Sequence, residues 1–204
     1  MKELFKVPKL TTKGDHQKVF DEISRRLLKE YVLKTPRNSY LIREIDFYYH
    51  SDTHTDFYCH SNDRQLHNSQ FYFHRFKNPE AYMKLKRKGI DITFGDGNNC
   101  YGGILIRAIQ NIATNEIFDG IGKIANLIID EMGGANEITR LYESNVDIFS
   151  PSAKLHLANA AQENDLRIFK KNRQGLNLKK EDDDGYFLNV QYNYFTYPEI
   201  TELI

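Results

Sequence analysis

The chain has 204 residues, which suits one domain with long loops or two small lobes and excludes a large multidomain assembly. Hydrophobic residues make up 40% and aromatic residues 13%, so intrinsic disorder over most of the length is excluded. The 28 basic residues balance 28 acidic ones. This neutrality argues against a general nucleic-acid binder and leaves only local basic patches for such a partner.

Cysteine usage and hydropathy favour a protein of the cell interior. Cys59 and Cys100 are the only cysteines, and two thiols do not build the disulfide framework of a small secreted scaffold. The first eight residues contain no apolar leader region, and no run of about 18 uncharged apolar residues occurs. We therefore expect a reducing compartment, cytoplasm or nucleus, and no membrane partner.

The N-terminal half reads as an arm, a helix and a strand. Residues 1–14 carry scattered lysines and predict a loosely ordered arm. Apolar residues recur at helical spacing over residues 15–31, with Asp15 as the expected N-cap. Residues 40–49 are rich in β-branched and aromatic side chains, which predicts a strand. Glu44 and Asp46, two residues apart, would then share one face of that strand.

The middle of the chain alternates loops with short strands. Residues 50–69 are polar and aperiodic, which predicts a long loop, and 71–75 reads as a strand. Residues 90–94 and 103–109 predict two strands joined by the glycine- and asparagine-rich segment 95–99.

The C-terminal part predicts three helices and a final strand region. The helices are expected at 121–132, ended by Gly133, at 136–144 and at 151–164. A charged turn at 179–185 precedes an aromatic strand region at 186–197.

Histidines and carboxylates concentrate between the first strand and the second. Five of the seven histidines fall between Glu44 and His74. Residues 50–56 alternate histidine and aspartate at every second position, so an extended segment would aim two imidazoles and two carboxylates the same way. A divalent metal site is one interpretation. A polar loop that happens to be histidine-rich is the favoured one, because no closed pattern such as His-Glu-x-x-His occurs.

Three further features have both a functional and a structural interpretation. Arg107 interrupts an apolar strand and needs a carboxylate, a phosphate or water, unless that strand is half exposed. The basic residues of segment 84–88 would contact nucleic-acid phosphates or form a solvated charge run. Aromatic residues on the strands would stack on a flat ligand or fill the core. The basic residues in question are Lys84, Lys86, Arg87 and Lys88.

Several segments, taken in chain order, resemble motifs of the methylpurine (alkyladenine) DNA glycosylase family. Residues 42–48 (IREIDFY) resemble the family's Glu-x-Glu-Ala-Tyr strand, and Asp56 and His60 reproduce the Asp-x-x-x-His that follows it. Residues 104–109 (ILIRAI) are similar to its Val-Leu-Ile-Arg-Ala-Leu strand. Residues 119–127 (DGIGKIANL) and 173–176 (RQGL) resemble its Asn-Gly-Pro-Gly-Lys-Leu helix start and its Pro-Arg-Val-Gly-Leu segment.

The resemblance implies an α+β fold over residues 15–204: a single domain with a curved, mostly antiparallel sheet flanked by helices. It also implies an activity, hydrolysis of the N-glycosidic bond of a damaged, alkylated purine that is flipped out of duplex DNA. No cofactor or metal is implied, and a monomer is favoured. Because no lysine occupies the position of a Schiff-base nucleophile, we expect hydrolysis without strand cleavage.

The resemblance also assigns roles to individual residues. Asp46 would activate water and stabilise the oxocarbenium-like transition state, and Arg107 would hold the carboxylate and the water. Tyr48, with Phe71 or Tyr72, would stack on the base, which a cationic alkylated purine would favour. His60 would donate a hydrogen bond, and Asp91 would lie on the pocket floor.

The chain departs from the family pattern at several positions. Asp46 stands where the family has a glutamate, so Glu44 is an alternative base. The family's Thr-Pro-Arg-Asn is replaced by residues 61–64 (SNDR), its pocket asparagine by Asp91, and its wedge Tyr-Gly by residues 73–75 (FHR). These departures leave two other readings open: a purine- or nucleic-acid-binding protein of the same fold that does not cleave, and a metal-dependent hydrolase.

Overall fold

The computed structural model describes Phe5 and residues 13–162, 165–182 and 184–196. Among these residues the helices are α1 (Lys13–Glu30), α2 (Asp63–Leu66), α3 (Pro79–Met83), α4 (Ile121–Met132), α5 (Asn136–Ser144) and α6 (Tyr186–Asn189). The strands are β1 (Tyr31–Lys34), β2 (Ser39–Ser51), β3 (His54–Thr55), β4 (Asn68–Phe73), β5 (Ile90–Phe94), β6 (Tyr101–Asn111), β7 (Ile117–Asp119), β8 (His156–Asn159), β9 (Phe169–Lys171) and β10 (Asn193–Phe195).

The strands form one antiparallel sheet that curls into a half-barrel flanked by helices, so the predicted α+β single-domain class is confirmed. The main path of the sheet is β4-β5-β6-β2-β1-β8, and β10 pairs with β2 and with β9. Within the described part of the chain, no helix combines the length and apolar character needed to cross a membrane.

The two faces of strand β2 have different surroundings: one packs into the apolar core, and the other carries polar side chains. Ile45, Phe47 and Tyr49 point into the apolar core, where Phe20 of α1 stacks on Phe47 with ring centroids 4.5 Å apart. Side chains alternate along a strand, so Asp46 and its neighbours two residues away face the opposite side. The prediction of a strand carrying carboxylates on one face is confirmed.

Two β-bulges in the middle of the β2–β6 pair determine the direction of the Arg107 side chain. Ile42 pairs with Ile109 and Glu44 with Ala108, but Ile45 pairs with Ile106, so Arg107 has no partner residue in β2. An extra residue in one strand increases the local twist and re-aims its side chain. The bulge thus turns the Arg107 guanidinium toward the carboxylates of β2.

The helical and strand periodicities predicted most other elements correctly. The strands at 90–94 and 103–109 and the helices at 121–132 and 136–144 are confirmed, and Gly133 ends α4 with a φ of +102°. Asp15 is not the N-cap, because α1 begins two residues earlier, at Lys13. Most of the predicted 1–14 arm lies outside the described residues, but Phe5 is buried and stacks on Phe149.

Three predictions were wrong in whole or in part. Over its described residues, 151–162, the segment predicted as a helix forms a turn followed by β8, in which Leu157 pairs with Leu33 of β1. The predicted strand region 186–197 contains β10, but it begins with α6, because the Asp182 carboxylate accepts the backbone N–H groups of Phe187 and Leu188. The loop 50–69 contains β3, α2 and the start of β4, and an Asn62–Gln65 capping box starts α2.

Candidate active site

A row of paired residues crosses the sheet and defines the candidate site. Tyr72 pairs with Asp91, Asp91 with Leu105, Leu105 with Asp46, and Asp46 with Asn193. Residues that pair directly across a sheet point to the same face. Five strands, β4, β5, β6, β2 and β10, therefore present one polar line on the face opposite the core packing of β2.

A cavity of about 510 Å³ lies over this row. This volume falls within the range of roughly 300–1,000 Å³ found for sites that take small molecules or cofactors. Four residues predicted as catalytic or base-binding line it: Tyr48, His60, Asp91 and Arg107. Loop 174–177 closes one side.

Asp46 lies beside the cavity with no accessible surface. Its Oδ2 accepts a hydrogen bond from Arg107 Nη1 at 2.8 Å and lies 3.4 Å from the Tyr48 hydroxyl, while Oδ1 accepts one from Asn193 Nδ2 at 2.7 Å. Burial raises the pKa of Asp46 to about 6, although Arg107 and Asn193 favour the carboxylate. Arg107 and Tyr48 both line the cavity, so they separate the carboxylate from it.

Glu44 belongs to the same network but lies behind Arg107. Its Oε1 is 3.5 Å from Arg107 Nε and 3.4 Å from Lys171 Nζ, and it accepts a hydrogen bond from Asn193 Nδ2 at 2.8 Å. Arg107 therefore contacts both carboxylates of β2, and its side chain is only 17% exposed. The interpretation of Arg107 as an outward-facing surface residue is wrong.

A buried ion pair between Arg173 and Asp56 supports the cavity wall that contains Tyr48. Arg173 donates to both carboxylate oxygens of Asp56, at 2.5 and 3.1 Å, and its guanidinium lies 4.6 Å from the centroid of the Tyr48 ring. The Tyr58 ring lies over the same guanidinium at 5.5 Å. Asp56, quoted for the Asp-x-x-x-His resemblance, is thus part of the support beneath the cavity.

The facing wall contains two histidines and a carboxylate. His74 Nε2 lies 2.6 Å from Asp91 Oδ1, and Gln65 Nε2 donates to Asp91 Oδ2 at 3.0 Å. The His60 and His74 ring centroids are 4.5 Å apart, and Tyr72 packs on His74 at 5.2 Å. Desolvation by the surrounding protein and the nearby His74 lower the pKa of His60 to about 4, so its ring is neutral at pH 7.

Of the four basic residues predicted to contact phosphates in segment 84–88, two line the cavity and two lie outside it. Arg87 and Lys88 line the cavity, together with Arg75. The Lys88 amine is held by the Asn126 side chain at 2.8 Å, whereas the exposed Lys84 pairs with Glu80. Lys86 is exposed and does not line the cavity.

The structure corrects two expectations about the site. Phe71 is 3% exposed and belongs to the apolar core, because neighbouring residues on β4 point to opposite faces. Tyr72 points to the other face, where it packs on His74, but it does not line the cavity itself. The alternating histidines and aspartates of 50–56 do not form one ligand set, since the chain reverses between β2 and β3 and His54 stacks on His16 in the interior. Among the described residues no three His, Cys, Asp or Glu side chains are grouped as metal ligands.

Sequence reasoning missed four residues that build the site. Asn193 bridges the two carboxylates of β2, Arg173 supports Tyr48, and Gln65 and His74 hold Asp91. Arg173 lies in the segment 173–176 and His74 in the histidine-rich stretch, but no local signal connects either residue with its partner. Asn193 has no local signal at all, because its partners are about 150 residues away.

The fold and the site define a single-domain α+β protein with a curled antiparallel sheet and a cavity beside an acid–arginine pair. No family model matches the sequence. The chain is 30% identical over 176 residues to "Uncharacterized protein L759" of Acanthamoeba polyphaga mimivirus, an overlap of 78% of this chain and 79% of that protein. The chain belongs to the same family as that mimivirus protein.

Proposed function

We propose that this protein is a DNA glycosylase that hydrolyses the N-glycosidic bond of a damaged purine flipped out of duplex DNA. The observation that carries the proposal is the pair Asp46–Arg107, joined at 2.8 Å beside a cavity walled by the Tyr48 ring. An extruded base needs a pocket with a flat wall, and cleavage needs a fixed carboxylate next to that pocket.

In the proposed reaction the base stacks against Tyr48 and the sugar faces Asp46. The 3.4 Å contact between the Tyr48 hydroxyl and Asp46 Oδ2 is the longest of the carboxylate's hydrogen bonds and gives way to the attacking water. Oδ2 takes a proton from that water as the water oxygen bonds to the sugar carbon, and the electron pair of the breaking C–N bond leaves with the base. Arg107 and Asn193 hold the carboxylate in place, so its negative charge also stabilises the oxocarbenium-like transition state.

The cations at the cavity rim suit the backbone of the nucleic acid. Arg75 and Arg87 are exposed and line the same cavity as Arg107. Although the chain as a whole is neutral, these two side chains supply a local positive field where the flipped nucleotide would enter. We expect them to contact the phosphates that flank the damaged base.

One observation favours a second candidate, a purine- or nucleic-acid-binding protein that does not cleave. Both oxygens of Asp46 accept hydrogen bonds from the protein, and the carboxylate has no accessible surface. If no water displaces the Tyr48 hydroxyl, the same cavity binds a base without hydrolysing the bond.

Single-turnover base release separates the two candidates. Duplex oligonucleotides with one 7-methylguanine are incubated with excess protein, and abasic sites are revealed by strand scission in hot alkali. We expect release by the wild type and a loss of about 100-fold or more in Asp46→Asn. Asp52→Asn is the matched control, because Asp52 is exposed and does not line the cavity.

Tight binding of the oligonucleotide by the wild type without base release would support the second candidate and overturn the first. If the wild type neither binds the oligonucleotide nor releases the base, both candidates are overturned. Equal release by the wild type and Asp46→Asn would remove Asp46 from the mechanism.

A further inference from the structure

A second pocket, with a volume of about 440 Å³, adjoins the cavity. Arg64 lines the second pocket, and the next residue in the chain, Gln65, lines the cavity. In the same way Arg75 lines the cavity, and Lys77 lines the second pocket. The two spaces therefore meet along these two segments of the chain.

The Arg64 side chain stacks on an aromatic ring in the second pocket. Its guanidinium carbon lies 3.3 Å from the centroid of the Tyr142 ring. At this distance the guanidinium plane has to lie nearly parallel to the ring. Stacking covers one face of the guanidinium, but its N–H groups lie in the plane and point outward from its edge.

The ring beneath Arg64 is held in place by two neighbours. The Tyr142 hydroxyl accepts a hydrogen bond from the backbone N–H of Phe73 at 2.8 Å. The Phe76 ring packs against Tyr142 edge-on, with ring centroids 5.4 Å apart. A guanidinium stacked on a fixed ring loses less conformational freedom when it binds a ligand, so Arg64 is preorganised for one.

Arg64 has donors that no protein group uses. Over the described residues its guanidinium donates no hydrogen bond and has no carboxylate within ion-pair distance. Arg107 and Arg173, by contrast, each bind a carboxylate. A charged guanidinium binds anions strongly through two parallel N–H donors, so Arg64 is placed to bind an anion from outside the chain.

The charges that line the second pocket have a positive sum. Arg64 and the exposed Lys77 are its two cations, and the exposed Glu143 is the only acidic residue among its lining residues. Lys77 has no ion-pair partner in the part of the chain that the structure describes. Asp147 lines a narrow cleft on another side of Arg64. An arginine and a lysine together suit a phosphate group, which arginine binds through two hydrogen bonds and lysine as a point charge.

The position of the second pocket suits a strand that also enters the cavity. Arg75 and Lys77 are two residues apart, so their Cα atoms are separated by at most about 7 Å. This distance is of the same order as the one between neighbouring phosphates of a nucleic-acid strand. A strand that passes Arg75 at the cavity rim would therefore bring a further phosphate to Lys77 and Arg64.

We propose that the second pocket binds a backbone phosphate of the damaged DNA strand, beyond the phosphates that flank the flipped base. This inference rests on the proposed binding of DNA. Arg75 and Arg87 take the flanking phosphates, and Arg64 and Lys77 take one further along the same strand. A phosphate contact carries no sequence information, but it fixes the register and the orientation of the strand across the cavity.

Single methylphosphonate substitutions test which phosphate Arg64 contacts. Each substitution removes the charge of one phosphate in a duplex that carries 7-methylguanine. Affinity is measured by fluorescence anisotropy for Asp46→Asn, which keeps the base on the DNA, and for the double variant Asp46→Asn/Arg64→Gln. We expect one substitution on the damaged strand to weaken binding by Asp46→Asn about 10-fold and binding by the double variant less than about twofold. Such non-additivity is the signature of a direct contact.

Salt dependence gives a second readout, with a matched control. Arg64→Gln should reduce the slope of log K against log salt by about 1. Arg37→Gln should leave the slope unchanged, because Arg37 is exposed, pairs with Asp130 and lines neither the cavity nor the second pocket. Arg64→Lys keeps the charge but not the paired donors, so its affinity should lie between those of the wild type and Arg64→Gln. Equal slopes for the wild type and Arg64→Gln would overturn the inference.

Inorganic phosphate distinguishes a free anion from a DNA strand. Its binding is followed by NMR titration of the wild type and Arg64→Gln with sodium phosphate. If inorganic phosphate saturates the second pocket of the wild type while no methylphosphonate substitution couples to Arg64, the pocket takes a free phosphate compound and the proposal is overturned.

The outcomes separate this inference from the proposed function. If the protein binds no DNA, the proposed function and the inference both fail. If it binds DNA but no single phosphate couples to Arg64, DNA binding stands and the inference is overturned. Coupling to a phosphate of the undamaged strand would overturn the assignment to the damaged strand.

Discussion

Arg173 and Asp56 form a two-contact ion pair in which neither side chain has accessible surface. The pair connects the loop after β3 to the segment that precedes α6. The Arg173 guanidinium also donates to the backbone carbonyls of Phe47 and Phe187 and lies under the Tyr48 ring. One interaction thus fixes both the C-terminal segment and the flat wall of the cavity.

Replacement of Arg173 by methionine should be strongly destabilising. It leaves the Asp56 carboxylate buried without its partner, which costs about 3–5 kcal/mol. Urea unfolding measures the change. The control is Lys84→Met, whose exposed pair with Glu80 is worth only about 0–1 kcal/mol. Similar stabilities of the two variants would show that the Arg173–Asp56 pair does not hold the fold together.

Gly103→Ala should disturb the cavity wall through a steric clash. The added Cβ would lie 2.5 Å from both Asp91 Oδ2 and Gln65 Nε2. Overpacking of this kind costs about 1–3 kcal/mol in unfolding free energy. Gly122→Ala in α4 is the matched control, because nothing lies within 4 Å of its added Cβ. Unchanged stability in Gly103→Ala would argue against the tight packing around Asp91.

Base release should depend on the protonation of Asp46. Burial raises the pKa of this carboxyl from 3.8 to about 6, and a general base acts in its ionised form. The rate on 7-methylguanine should therefore fall as the pH is lowered through about 6. Single-turnover rates between pH 5 and 8 measure this. A rate that stays constant over this range would exclude Asp46 as the base.

The same shift predicts the pH dependence of stability. The folded-state pKa of Asp46 lies above the unfolded value, so its contribution to stability is fully present below pH 3.8 and is lost as the pH rises through about 6. Thermal melts of wild type and Asp46→Asn between pH 4 and 8 isolate this contribution. The Tm of the wild type should fall relative to that of the variant as the pH rises. A constant difference in Tm would contradict the shift.

Glu44→Gln distinguishes the two carboxylates of β2. Glu44 reaches the cavity only through Arg107, at 3.5 Å from Nε, whereas Asp46 accepts a direct 2.8 Å hydrogen bond from Nη1. We expect Glu44→Gln to lower base release by less than about tenfold, against about 100-fold or more for Asp46→Asn. The reverse order would make Glu44 the base.

The rim cations should determine the salt dependence of DNA binding. Arg87 is exposed and lines the cavity, whereas Lys84 pairs with Glu80 and lies outside it. Arg87→Ala should weaken binding of a duplex oligonucleotide and reduce the slope of log K against log salt by about 1. Lys84→Met should leave that slope unchanged. Equal slopes for wild type and Arg87→Ala would place the backbone contacts elsewhere.

Most of the secondary structure was predictable because its signals are local. The spacing of apolar residues in α4 and the glycine that ends it lie within one short window, as does the run of β-branched and aromatic residues in β2. The secondary-structure predictions fail where pairing with a segment distant in the sequence determines the conformation. Segment 151–164 contains residues compatible with a helix, but pairing with β1 places His156–Asn159 in the sheet.

The amino-acid sequence alone determined which chemical groups are present and that Glu44 and Asp46 share a strand face, since side-chain direction follows from a period of two. Only the tertiary structure decided which groups meet. It turned Arg107 inward at a bulge and placed Phe71 in the core and Tyr72 against His74. It also brought Asn193 to Asp46 and His74 to Asp91. Register across strands is a long-range property of the folded chain, and no short stretch of sequence contains it.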